Sequence, residues 1–179
     1  MADAGEDAER VAVMEGAVRR FPDDPDARVW YASALLDIRP AHALEEAAQA
    51  AALDVDNARR IARVAHMHYL LGATDEAARY LKQAIVVSPP HDLALEAEIA
   101  VLGGQLAAHA GEAELAEEAF RAAVETLPEH EHYWVVLVQF LADRGRLDDA
   151  RRAHSRATRV ASESEELDRL REALDIEDA

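Results

Sequence analysis

The sequence predicts an all-α chain, a solenoid of about four helix-turn-helix units closed by a capping helix at each end. Three observations carry this expectation. Gly (7) and Pro (6) are scarce among 179 residues, while Ala, Glu, Leu and Arg abound, a mix that favours helix. Small residues recur at one spacing: Gly72, Ala77 and Ala84; Gly111, Ala116 and Ala123; Gly145, Ala150 and Ala157. An earlier copy keeps Ala43 and Ala50 but has Ile38 in place of the glycine. A second ladder runs Pro22, Val55, Pro89, Pro128 and Ser162, at intervals of 33, 34, 39 and 34. A proline just beyond a helix end cannot continue the helix and turns the chain.

The elements follow in order along residues 1–179, taken as one helical-repeat domain. Residues 6–22 hold a lone capping helix that ends at Pro22. Residues 25–55, 58–89, 92–128 and 131–161 are the repeats. Each is a helix, a short turn and a second helix. Within them the apolar residues keep helical spacing, as in Ile61, Val64, Ala65 and Tyr69, or Trp134, Leu137, Val138 and Leu141. In the first repeat the turn is a residue short, with Pro40 expected inside it. The third repeat is longer: Pro89 to Gly111 spans 22 residues, against 17 from Val55 to Gly72. The added length extends its first helix by more than a turn, and that helix contains Gly103-Gly104. It reads either as a kinked helix or as a widened groove or a hinge. Residues 163–176 form the C-terminal cap, with Leu167, Leu170 and Leu174 as its apolar stripe and Ser162 with Glu165 as a capping box. One helix pair cannot bury its apolar face, whereas stacked pairs can, and the two ends need polar-faced caps.

These units resemble the tetratricopeptide repeat family, whose period is about 34 residues and whose pattern is Trp-x2-Leu-Gly-x2-Tyr, then Ala-x3-Phe, then Pro. The last unit supplies Trp134, Leu137 and Ala150, with Val138 for the Gly and Leu141 for the Tyr. The third supplies Gly104, Ala116-x3-Phe120 and Pro128. The second supplies Ala65, Gly72, Ala77-x3-Leu81 and Pro89. The first supplies Tyr31 and Ala32. The resemblance covers residues 9 to 162 and implies a right-handed solenoid whose first helices line a concave groove. It further implies that this groove binds a peptide or a helix of a partner. Some members of the family hold a chaperone's C-terminal carboxylate with Lys and Asn. The groove positions here offer Ser33, His66, Gln105 and Gln139 instead, and Lys82 falls on a second helix.

Charge narrows the classes of function. The formal net charge is −17, which disfavours nucleic acid, since phosphate contacts need clustered Lys and Arg. Residues 161–179 carry a net −6 and residues 1–10 a net −3. No apolar run approaches a membrane span, and the acidic N-terminus does not resemble a secretory signal. The absence of Cys excludes disulfides and thiolate-bound metal. A cytoplasmic location is the expectation. No phosphate loop, nucleophile elbow or His-Glu-x-x-His appears, so neither catalysis nor a cofactor is expected. Asp148-Asp149 and Glu117-Glu118 read as solvated helix faces.

Candidate groove residues are Trp30, Ser33 and Asp37, then Arg59, Arg63, His66 and Leu70, then Gln105 and His109, then Val135, Gln139 and Asp143. Residues 57–74, NARRIARVAHMHYLLGAT, hold three Arg, two His and no acid, a local inversion of sign. Arg59, Arg63, His66 and Leu70 share one helix face. Arg grips carboxylates through paired hydrogen bonds, so this stripe either anchors an acidic partner segment or pairs with acids such as Glu96 and Glu98. The partner-binding set is Trp30, Arg59, Arg63, His66, Gln105 and Gln139. Trp134 matches the family's structural Trp. The reading is a non-catalytic protein–protein interaction module, with a homodimer possible. Two alternatives are a structural subunit or self-associating scaffold, and a metal-binding regulatory protein using His130 and His132 beside Glu129 and Glu131.

Overall fold

In the computed structural model, which describes residues 4–161 and 165–174, the regular structure is entirely helical. The helices are α1 (Ala4–Arg20), α2 (Pro25–Leu35), α3 (Pro40–Leu53), α4 (Ala58–Leu70), α5 (Thr74–Val87), α6 (Leu93–His109), α7 (Ala113–Thr126), α8 (Glu131–Asp143), α9 (Leu147–Val160) and α10 (Glu165–Ala173). No strand occurs among the described residues. The chain divides into two compact units, residues 1–90 and residues 91–179. In the first, α2 pairs with α3 and α4 with α5, while α1 packs on α2 and α3 on α4. In the second, α6 pairs with α7 and α8 with α9, α7 packs on α8, and α10 lies against α8 and α9. This is the all-α, stacked-pair architecture of a solenoid.

Local chemistry starts and stops these helices. Asp24, Asn57 and Asp92 cap α2, α4 and α6, accepting backbone N–H bonds at 2.9, 3.0 and 3.1 Å from Asp26, Arg60 and Leu95. The within-pair turns of the later repeats close on glycine. Gly72, Gly111 and Gly145 have φ of 76, 83 and 71°, the left-handed conformation that glycine adopts without steric cost. The next N–H then reaches back five residues, as Ala73 to the His68 carbonyl (2.9 Å), Glu112 to Ala107 (2.9 Å) and Arg146 to Leu141 (3.0 Å). The first pair lacks this device. Pro40 does not sit in the turn, as expected, but opens α3, where its missing N–H is harmless.

Both alanine ladders are fully buried. Ala43, Ala77, Ala116 and Ala150 are 0% exposed, as are Ala50, Ala84, Ala123 and Ala157. Small side chains there let paired helices approach closely. One close fit is at Gly104, where an added Cβ would lie 2.6 Å from the Phe120 ring. The lengthened α6 runs unbroken through Gly103 and Gly104 for 17 residues, against 13 in α4 and in α8.

Trp134 is core, as expected: it is 2% exposed and its indole N–H donates to the Pro128 carbonyl at 2.7 Å. The stripe on α10 also holds, with Leu167 and Leu174 buried and Leu170 packed beside them. Side chains of α9 fasten that cap. His154 Nε2 donates to the Leu167 carbonyl at 2.8 Å, and Arg151 donates twice to the Leu174 carbonyl at 3.2 and 3.1 Å. The expected Ser162 capping box lies outside the described residues.

Candidate functional site

The basic run on α4 divides by helical phase. Ile61, Val64, Ala65 and His68 turn inward, while Arg59, Arg63, His66 and Leu70 are exposed on one face. Trp30 of α2 stands beside that face, 55% exposed. The Arg63 guanidinium lies over the Trp30 ring, 5.2 Å from its centroid. A cation so placed is attracted by the negative face of the indole. Arg63 makes no ion pair among the described residues. Arg59 and His66 already interact within the chain.

Arg60, which the sequence pattern did not single out, is the structural member of the run. It donates to Asp26 at 2.9 and 3.3 Å and also contacts Asp54. Its side chain is 9% exposed. These two carboxylates raise its pKa against the opposing effect of burial. Asp26 and Arg60 are 34 residues apart, one repeat period, which is the signal that would have paired them. Internal pairing and outward display therefore coexist on α4, assigned to different arginines.

The remaining candidates scatter. Ser33 spends its hydroxyl on the Val29 carbonyl at 2.9 Å. Asp37 and Leu70 are exposed in the first unit, and His109, Gln139 and Asp143 in the second. Gln105 is half-buried, with its Oε1 enclosed and unpaired. Val135 is no surface residue: it is 2% exposed and sits in the core of the second unit, although Gln139, one turn further along the same face of α8, is exposed. Of the six residues in the partner-binding set, Trp30 and Arg63 are in contact with each other.

The His-rich junction is occupied by aromatic packing. His130 stacks on Tyr133 with centroids 4.4 Å apart, and His132 meets the same ring edge-on at 6.1 Å. Among the described residues no three His, Asp or Glu converge on a point that would hold a metal ion. Nor is any described helix long and apolar enough to cross a membrane.

The expected solvated acids are in part wired together. Glu117 of α7 accepts from Arg121 at 2.8 Å and from Arg146, and Arg146 also holds Asp149 at 2.5 Å, which binds Arg152. These bonds outweigh burial and hold the Glu117 carboxyl below its usual range. Beside this chain of charges a cleft of about 120 Å³ opens over Trp134 and Leu137. Arg156 closes it, 5.5 Å from the Trp134 centroid. Both tryptophans thus carry an arginine. Trp134 is buried beneath its cation, whereas Trp30 stays open.

The fold is that of tetratricopeptide repeat proteins, as solved structures show. A thermophilic tetratricopeptide protein of Thermus thermophilus, TTC0263, superimposes with a TM-score of 0.80 at 23% identity, covering 96% of this chain and 92% of its own. PilF of Pseudomonas aeruginosa gives 0.71 at 17% identity, covering 96% and 78%. YrrB, described as a tetratricopeptide protein with an unusual peptide-binding site, gives 0.57 at 18% identity, covering 82% and 73%. No model of a known family matches the sequence, and no curated protein sequence matches it significantly.

Proposed function

We propose that the chain is a non-catalytic protein–protein interaction module that binds an acidic segment of a partner on the first-helix face of its repeats. The observation that carries this is the Trp30–Arg63 pair. It is an exposed aromatic and an arginine without an ion pair, on a face bearing Arg59 and His66, in a chain of net charge −17. Holding a large aromatic and a guanidinium on the surface gains nothing for the core, while Trp and Arg are the side chains that most often anchor interfaces. A carboxylate reaching Arg63 would meet a donor fork already oriented by the indole beneath it. Gln105 and Gln139, in the second unit, are proposed as polar contacts on that unit's own first helices. YrrB, a structural neighbour described as having a peptide-binding site, supports a peptide-sized occupant.

The test is affinity capture with wild type and with an Arg59→Glu, Arg63→Glu variant of equal melting temperature, the captured protein being identified and its segment synthesised. Calorimetry on that peptide should show binding that weakens with salt and is lost in the variant. Equal binding by both proteins would remove the face from the function.

A further inference from the structure

We infer that the acidic segment fitting the Trp30–Arg63 face is residues 175–179 of a second copy of this chain. The inference rests on the binding face proposed above. The segment reads Asp175-Ile176-Glu177-Asp178-Ala179, three acids around one branched apolar residue, with no cation after Arg171. The acids before it are in part engaged: Glu165 with Arg169 at 2.9 Å and Asp168 with Arg171 at 3.8 Å. The chain leaves α10 at a fixed point, since Leu174 is buried and Arg151 clamps its carbonyl. The acidic residues are a dense block of negative charge, set against the exposed Arg63 guanidinium, which makes no ion pair among the described residues.

One carboxylate of the segment, Asp175 or Glu177, would address Arg63, while Arg59, one turn away on α4, already interacts within the chain. Ile176 would lie toward the exposed Trp30 or Leu70, which are 55% and 56% accessible. One copy offers both an acidic segment and a basic face, so the contact is head-to-tail and the assembly grows with concentration. Exposed charge pairs are screened by salt, so it also weakens as ionic strength rises.

Sedimentation velocity over a concentration series, at low and high salt, tests this. Wild type should associate at low salt, and Arg63→Glu alone, or Asp175→Lys with Glu177→Lys, should weaken association by on the order of tenfold or more. Mixing the two variants should restore it, because each presents the complement of the other. A synthetic peptide of residues 172–179 should bind wild type and compete with association. Monomeric wild type at every concentration, or association indifferent to both variants, overturns the inference. A monomer that binds the peptide only after residues 175–179 are deleted also overturns it, and assigns the segment to its own chain. An unrelated Glu-rich peptide separates the two proposals. Binding to that peptide without self-association leaves the acidic-partner face standing and removes the second copy. Binding to neither removes both.

Discussion

The Arg63 guanidinium lies 5.2 Å from the centre of the Trp30 ring, so the first helices of two successive repeats are joined at the surface by a cation and an indole. Three residues earlier on the same helix, Arg60 lies to one side of that face and pairs with Asp26 and Asp54. Similar side chains at different helical phase hold the fold in one case and face solvent in the other.

Stability should separate these two arginines. Arg60→Ala removes charge-assisted bonds from a side chain that is 9% exposed, though Asp26 is 67% exposed and screened by water. The expected cost is about 1–2 kcal/mol in urea unfolding. Arg63→Ala should stay within about 0.5 kcal/mol of wild type, as for other surface changes. Equal losses would mean that both arginines are structural.

Trp30→Ala should leave the melting temperature nearly unchanged and remove partner binding, because the ring is exposed and contributes to no core. Trp134→Ala should do the reverse, costing about 3–5 kcal/mol as a buried aromatic. The check is thermal melting of both variants together with calorimetric titration of the captured partner peptide.

Gly104→Ala places a methyl 2.6 Å from the Phe120 ring. Overpacking of this kind costs about 1–3 kcal/mol, more than the roughly 1 kcal/mol that alanine gains in helix propensity. Phe120→Leu combined with Gly104→Ala should recover part of the loss, giving a non-additive double-mutant cycle. Strict additivity would show that the α6–α7 contact is not the cause.

His68 predicts a dependence on pH. The residue is 6% exposed, both ring nitrogens lack hydrogen bonds, and the ring lies tilted against Tyr80 with centroids 5.0 Å apart. Burial depresses its pKa, Glu76 opposes this and Arg79 reinforces it. The folded chain therefore binds this proton more weakly than the unfolded chain, whose histidine titrates near about 6.5. Well above that pH neither state is protonated and the residue costs nothing. As pH falls below it, the unfolded state is protonated first, and stability drops until the folded-state pKa is passed. His68→Leu should flatten the fall in urea midpoint between neutral and mildly acidic pH. An unchanged slope in this variant would assign the fall to other groups.

Much of this architecture was legible as spacing. The Gly turns, the two alanine ladders and the prolines between repeats are local requirements that recur with the period, so one chain suffices to see them. The same reasoning misplaced Pro40, because a turn short by one residue can be closed by starting the next helix on the proline. It misplaced Val135 as well: the residue shares a helix face with the exposed Gln139, yet packing within the second unit buries it. The Glu117–Arg146–Asp149 chain escaped notice because its members are spaced by packing and not by period.

By itself, then, the sequence determined the number of helices, their order, the positions where they approach closely and the sign of charge on α4. Periodicity and steric demand act along the chain, and both are written in residue types. Only the tertiary structure decided which arginine is paired and which stands over an indole, which histidine is enclosed, and which tryptophan stays open. Those outcomes depend on the angle at which neighbouring helices meet. A rotation of one residue, about a quarter turn, exchanges a buried ion pair for an exposed cation while leaving the sequence pattern the same.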